Sequence, residues 1–189
     1  MDLIETVKNY IPYNDDEEIE KQSFLYFLNS FDNYLLRENT LGHVTTSAMV
    51  LNKEHTKMLM VYHNIYDSWA WVGGHADGEC NLPKKILEEI QEETGLKSAK
   101  LLNDKPLAIN IITVKAHYKR DKYVNSHLHF DISYLVEADE KEELKSKEDE
   151  NSAVAWVPLE QIIALTTEEH MIPVYTKLLL KLNDKTAYI

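Results

Sequence analysis

Apolar positions first recur at helical spacing. Leu3, Val7 and Tyr10 share one face of a short amphipathic stretch. After the acidic turn Asn14-Asp15-Asp16, residues 17–36 present Phe24, Leu25, Phe27, Leu28, Phe31, Tyr34 and Leu35 on a broad apolar face. Two helices are therefore expected in the first forty residues. Near His43 the pattern changes to strand. Val44-Thr45-Thr46-Ser47-Ala48-Met49-Val50-Leu51 is β-rich, Lys53-Glu54-His55 reads as a turn, and residues 57–63 return as a second strand. Trp69-Ala70-Trp71-Val72 leads into the pair Gly73-Gly74.

Helical spacing resumes over residues 82–94. Asn81 stands at the N-cap, Pro83 in the first turn and Gly95 at the stop, with Leu82, Ile86 and Ile90 as the buried stripe. Two long β segments follow, 107–118 and 127–137, separated by the basic loop Lys119-Arg120-Asp121-Lys122. The charged run 139–150 reads as a solvated loop. Val154-Ala155-Trp156-Val157 makes a short strand, Pro158 opens a helix, and a last helix spans 173–182. This order predicts a mixed sheet with helices on its faces. With no internal repeat and no Gly/Ser linker, the 189 residues suit a single domain (41–189) behind an N-terminal helical extension (1–40).

Composition narrows the function. Apolar residues make up 44%, enough for a core. The single cysteine, Cys80, excludes an intramolecular disulfide and fits a reducing compartment. The first residues lack a basic segment followed by a long apolar stretch, and no apolar run has the length of a membrane span. A cytoplasmic protein without a membrane partner is expected. The net charge of −12 disfavours a nucleic acid polymer as partner. It leaves room for a small phosphorylated molecule, because bound cations and a local basic loop reverse the field locally.

The chemistry concentrates in Gly73-Gly74-His75-Ala76-Asp77-Gly78-Glu79 and Glu88-Glu89-Ile90-Gln91-Glu92-Glu93-Thr94-Gly95-Leu96. Glu89, Glu92 and Glu93 stand at i, i+3 and i+4 and share one helical face. Like charges at that spacing weaken a helix by a few tenths of a kcal/mol per pair. Such a stripe is either a solvated acidic face or the seat of a hard divalent cation, which takes oxygen ligands.

These residues resemble the signature of the Nudix hydrolases, G-x5-E-x7-R-E-U-x-E-E-x-G-U, where U is aliphatic. Gly74 takes the leading glycine, and Glu89, Ile90, Glu92, Glu93, Gly95 and Leu96 take the later fixed positions within twenty-three residues. The resemblance implies an α/β/α sandwich with a mixed sheet. It also implies a hydrolase dependent on Mg²⁺ or Mn²⁺ that cleaves the diphosphate linkage of a nucleoside diphosphate derivative or similar small molecule. The cation ligands would be Glu89, Glu92, Glu93 and the carbonyl of Gly73, with Glu92 or Glu93 as base. An acid ahead of the Trp156 strand, Glu150 with Glu148 and Asp149 as rivals, would be a further ligand or base. Dimers are common in this fold, so a homodimer is a further expectation. Two positions depart: Cys80 replaces the signature glutamate and Glu88 the arginine. In the family that pair braces the loop on the helix, so the loop is expected to be held differently here or less firmly, with Glu79 as one substitute. The same departures keep open a catalytically weak, ligand-binding or regulatory protein on the same fold.

Other residues carry two readings each. His127, His129 and Asp131 alternate along a strand and face one side. They could hold a substrate phosphate or relay protons, or form a satisfied polar sheet face. His-x-Asp with a later histidine, His170, also suggests the facial triad of non-haem iron enzymes, which would leave the glycine–glutamate box unexplained. Lys119, Arg120 and Lys122 could clamp a phosphate or simply decorate a hairpin tip. His75 could meet substrate or cap the loop. Tyr62, Trp69 and Trp71 read as core or as a stacking surface, and Cys80 as a reactive thiol at a helix start or, in the plainer reading, a small buried filler.

Overall fold

The computed structural model describes residues 2–119, 121–147 and 151–184, with Lys119 described through its backbone alone. Arg120, Glu148, Asp149 and Glu150 lie outside the described residues. Helix α1 (Leu3–Asn9) is capped by Asp2, whose carboxylate accepts the Ile4 N–H at 2.9 Å. Helix α2 (Asp15–Ser30) starts from Asn14, whose side chain accepts the Glu17 N–H at 2.9 Å.

The expected helix to residue 36 ends early, because Phe31 turns extended (φ −136°, ψ 121°). Just before the stop, the Asn29 and Ser30 side chains bond back to the carbonyls of Leu25 and Tyr26 at 2.7 Å. Asp32 and Asn33, both turn formers, follow at once. The freed segment is put to use. Its Tyr34 carbonyl accepts the Val44 N–H at 2.8 Å, and its Leu35 carbonyl accepts the Gly78 N–H at 3.1 Å.

The sheet comprises β1 (Gly42–Asn52), β2 (Lys57–His63), β3 (Ser68–Ala70), β4 (Val72–His75), β5 (Lys100–Leu101), β6 (Ala108–Val114), β9 (His127–Ala138) and β10 (Asn151–Pro158). Its path is β10-β2-β1-β9-β5, with β3 on β2, β4 on β1 and β6 on β9. Strands β1 and β9 run parallel, and the other pairs are antiparallel. The expected strand 107–118 divides: its end becomes β7 (His117–Lys119), which pairs with β8 (Lys122–Val124) as a separate small hairpin. Helix α3 (Leu82–Thr94) follows β4, and α4 (Ile162–Leu165) and α5 (Ile172–Asn183) close the chain.

The two-residue period of β1 and β9 separates two cores. Val44, Ala48, Val50, Ile132, Tyr134 and Val136 pack with α1, α2 and the Leu82–Ile86–Ile90 stripe of α3. Met49, Leu51 and Leu135 face the other way, onto Ile162, Tyr175 and Leu178 of α4 and α5. This is the expected α/β/α sandwich. On that second face the strands change character half-way: His43, Thr45 and Ser47 precede Met49, and His127, His129, Asp131 and Ser133 precede Leu135. The polar half forms the floor of the candidate site. Among the described residues no helix is long and apolar enough to cross a membrane.

One buried feature has no sequence signature. Lys181 of α5 lies 3.0 Å from Glu17 of α2, with relative exposures of 1% and 0%. Lys181 also donates to the Tyr10 hydroxyl and, at 2.6 Å, to the Leu107 carbonyl. Lys177 stands 3.3 Å from the same Glu17 carboxylate. This charged cluster ties α5 to α2 and to the C-cap of α1 across the edge of the sheet.

Candidate functional site

Strand register assembles the site. On β1 and β9, His43 stands opposite His129, Thr45 opposite Asp131 and Ser47 opposite Ser133. On the other side of β1, Thr45 faces His75 and Ser47 faces Gly73. Beyond β9, Asn110 faces Asp131 and Ile112 faces His129. Four strands thus deliver their polar side chains to one patch. At its centre Asp131 accepts from Ser47 and Ser133 at 2.8 Å, Thr45 at 3.1 Å and the Asn110 amide at 3.4 Å. Burial still pushes its carboxyl above the ordinary range.

The carboxylates of α3 border this floor. Glu89, Glu92 and Glu93 line one cleft of about 290 Å³ together with Gly73, Gly74 and His75. Glu89 and Glu93 are 8% and 5% exposed, and Glu92 faces solvent. Lys85, one turn earlier, lies 2.7 Å from Glu89, and the Asn151 amide donates to Glu93 at 3.2 Å. The glycine at 74 follows from contact: a Cβ there would sit 2.4 Å from the Glu89 carboxylate carbon. Gly74→Ala is therefore expected to displace Glu89 and cost about 100-fold in turnover, since a misplacement of about 1 Å has that effect. Kinetics beside an unchanged circular dichroism spectrum check it.

The departures from the signature find their physical answer in the loop. Lys84 sits 3.4 Å from both Glu79 and Glu88, so a lysine spans the loop and the helix where the family places a Glu–Arg pair. These groups are exposed and add little stability. The firmer hold comes from outside the motif. Arg37 grips Asp77 with two bonds, one of them 2.6 Å, and the Ala76 N–H donates to the Val44 carbonyl at 3.0 Å. Asp77 occupies the left-handed region (φ 48°), so this grip fixes a backbone that a non-glycine residue rarely adopts. Cys80 is exposed, against its expected role as a buried filler, because the loop lifts it away from the Leu82–Ile86 stripe.

Four imidazoles cluster at the cleft's edge. Ring centroids of His43, His75 and His129 are 4.9–5.0 Å apart, and His127 lies 4.9 Å from His43 and 5.1 Å from His129. Burial lowers the affinity of His43 for a proton, and the Asn39 carbonyl only partly opposes it. His129 falls well below its ordinary value, first through burial and then through the neighbouring histidines. Both rings are neutral at pH 7. Sequence reasoning missed His43, although His43-x-Thr45-x-Ser47 has the same alternation as His127-x-His129-x-Asp131.

Of the expected site residues, Gly73, His75, Glu89, Glu92, Glu93 and His129 share the cleft, and His127 stands behind His129. Lys122 is exposed at the β7–β8 hairpin tip, and it does not line the cleft. The facial-triad reading is not supported, since all of Asp131's hydrogen bonds bind it into the sheet floor. The aromatic readings divide. Trp69 and Trp71 pack on the second core, yet Trp71 also lines the cleft. Tyr66, Trp71, Ile112 and His129 continue into an adjoining cavity of about 800 Å³, bounded further by His117, Glu168 and His170.

The chain matches the model of the NUDIX domain over residues 42–178. It belongs to the NUDIX family. A probable DHNTP pyrophosphohydrolase from Lactococcus lactis subsp. cremoris (strain MG1363) is 26% identical over 141 residues, covering 75% of this chain and 81% of the relative. Two solved structures share the fold. A C. elegans Ap4A hydrolase binary complex gives a TM-score of 0.54 at 14% identity, covering 75% of this chain and 98% of that one. The E. coli dihydroneopterin triphosphate pyrophosphohydrolase gives 0.52 at 13% identity, covering 72% and 94%. As a Nudix hydrolase, the chain has its box where the fold requires it, at the β4–α3 junction. Its donor set fits a divalent cation: oxygen ligands from Glu89, Glu92, Glu93 and the Gly73 backbone border one cleft, and Glu89 already holds a cationic group, the Lys85 ammonium.

Proposed function

We propose that this Nudix hydrolase cleaves, with Mg²⁺ or Mn²⁺, a diphosphate linkage in a small molecule that carries a flat heterocycle. The carrying observation is one cleft shared by the α3 carboxylates and the Gly73–Gly74 strand, opening into a larger cavity with aromatic walls. Glu89, Glu92, Glu93 and the Gly73 carbonyl would hold the cation. When bound, it supplies charge neutralisation at the diphosphate oxygens and a more acidic water.

The chain's own groups do the rest. Gly73 and Gly74 leave the room that Ser47 and the Glu89 carboxylate occupy, so Glu89 lies directly against the strand. Lys85 and Asn151 orient Glu89 and Glu93, leaving Glu92 at the solvent side to take a proton from the attacking water. Lys147, on the cleft wall, offsets the phosphate charge. Tyr66, Trp71 and Ile112 present the apolar surface on which a heterocycle stacks. The names of the relatives, a DHNTP pyrophosphohydrolase and an Ap4A hydrolase, make pterin and nucleoside polyphosphates the first substrates to try.

Turnover of a panel of nucleoside triphosphates, dinucleoside polyphosphates, nucleotide sugars and dihydroneopterin triphosphate tests the reading. Cleavage into two phosphorylated products is expected with Mg²⁺ or Mn²⁺ and is expected to stop with a chelator: a monophosphate and pyrophosphate from a triphosphate, two nucleotides from a dinucleoside polyphosphate, and a nucleotide and a sugar phosphate from a nucleotide sugar. The second reading, a binding protein that hydrolyses slowly, draws on the tight Lys85–Glu89 pair, which a cation must displace. Binding without turnover across the panel would favour it.

A further inference from the structure

We propose that His43, His75 and His129 form a second metal site, for a borderline transition-metal ion of the Zn²⁺ class, distinct from the carboxylate set on α3. Among the described residues this is the one group of three such donors whose ligand atoms all lie within 4.8 Å of one another. Ligands of a tetrahedral zinc ion stand about 3.4 Å apart, so each ring needs to move by less than about 1 Å to close on an ion.

The second observation is an orphaned atom. His43 is 4% exposed, and its Nε2 has no hydrogen-bond partner. A buried polar nitrogen left unpaired is costly, and a metal ion resolves that cost. The other nitrogen, Nδ1, lies 3.3 Å from the Asn39 carbonyl and donates to it. This fixes the tautomer with the Nε2 lone pair aimed inward, the outer support that metal-bound histidines use. His127 repeats the arrangement one ring further out. Its Nδ1 donates to the Asn125 carbonyl at 2.9 Å, so its Nε2 accepts from the His129 Nε2–H at 3.2 Å. That bond leaves the lone pair of His129 on Nδ1. His127 is thus an orienting residue and His129 a ligand.

The donors come from three strands held in register, β1, β4 and β9, which preorganises them better than loops would. The nearby cation, Arg37, is tied to Asp77, so its charge is offset. Imidazole nitrogens select Zn²⁺, Co²⁺ or Ni²⁺, whereas Mg²⁺ prefers the oxygen set on α3. Three protein ligands leave a tetrahedral ion one open position. His75 and His129 both line the cleft, so the site borders the space that the proposed function assigns to the diphosphate.

Titration of the chelator-treated protein with Zn²⁺ by calorimetry, and with Co²⁺ by visible absorption, tests the site in the presence of millimolar Mg²⁺. One ion per chain is expected, with the ligand-field bands of a four-coordinate site. His43→Ala or His129→Ala is expected to weaken binding by at least about 100-fold, and His127→Ala by about 10-fold. Glu92→Gln leaves it unchanged. Should His43→Ala fail to fold by circular dichroism, His75→Ala on half-exposed β4 carries the test. The site is overturned by no binding in the unaltered protein, by equal affinity in the folded histidine variants, or by loss in Glu92→Gln, which would put the ion on α3. None of these outcomes depends on hydrolysis.

Discussion

Glu92→Gln and Glu93→Gln are each expected to lower kcat for diphosphate hydrolysis by about 10²–10⁴-fold, the usual contribution of a general acid or base. The amide keeps the shape of the side chain and removes its charge. At Glu93 it still meets the Asn151 amide, so local structure is conserved while the negative charge leaves the cleft. At Glu92 the change falls on a solvent-facing position, where folding is indifferent to it. Steady-state kinetics over a range of Mg²⁺ and Mn²⁺ concentrations separate the two roles. A loss recovered by excess cation marks a ligand, and a loss that persists at saturation marks the base. Activity within threefold of the unaltered enzyme for both variants would remove α3 from the chemistry and with it the proposed reaction.

The second large effect concerns stability. Lys181→Ala is expected to destabilise the fold by about 3–5 kcal/mol, because it strands the Glu17 carboxylate in the interior. Lys177, 3.3 Å away, keeps the loss toward the lower end. Denaturant unfolding measures it. The double change Glu17→Gln with Lys181→Met removes both charges and is expected to restore most of the loss. Acid provides an independent check. Burial alone would raise the Glu17 carboxyl, but Lys177, Lys181 and the Tyr13 N–H outweigh it and hold the group below its ordinary value. A depressed folded-state value means stabilisation that is complete above the unfolded carboxylate range. It is lost as pH falls through the folded value. Stability of the unaltered protein should therefore decline below the ordinary carboxylate range, and Lys181→Ala should flatten that decline.

The loop offers a lesson about motif departures. Replacing the signature Glu and Arg by Cys80 and Glu88 suggests a weakened brace. The structure instead recruits Arg37, forty residues upstream of its partner Asp77, together with the Leu35 carbonyl of the segment 31–41. That segment is available because α2 stops at Ser30, where sequence periodicity alone continues it to Leu36. A helix end and a catalytic loop are thus one structural decision. The apolar positions Tyr34 and Leu35 are satisfied by packing against the core from a turn. Periodicity reports burial, and burial is compatible with more than one backbone.

Local patterns determined most of the skeleton. Strand β2 and helix α3 begin and end where alternation, the Asn81 cap and the Gly95 stop place them. The glycine–glutamate box identified the family, because its spacing places three carboxylates on one helical face beside a glycine strand that leaves room for Glu89. These features are short-range, and short-range geometry is written in residue order. What the tertiary structure alone decided lies between elements distant in sequence: the parallel register of β1 and β9 that sets His43 beside His129, the Lys85 and Asn151 contacts that orient the carboxylates, and the buried Lys181–Glu17 pair. Such contacts depend on which strands meet and in what register. Each of those residues, taken in its own segment, is as well suited to solvent as to a partner.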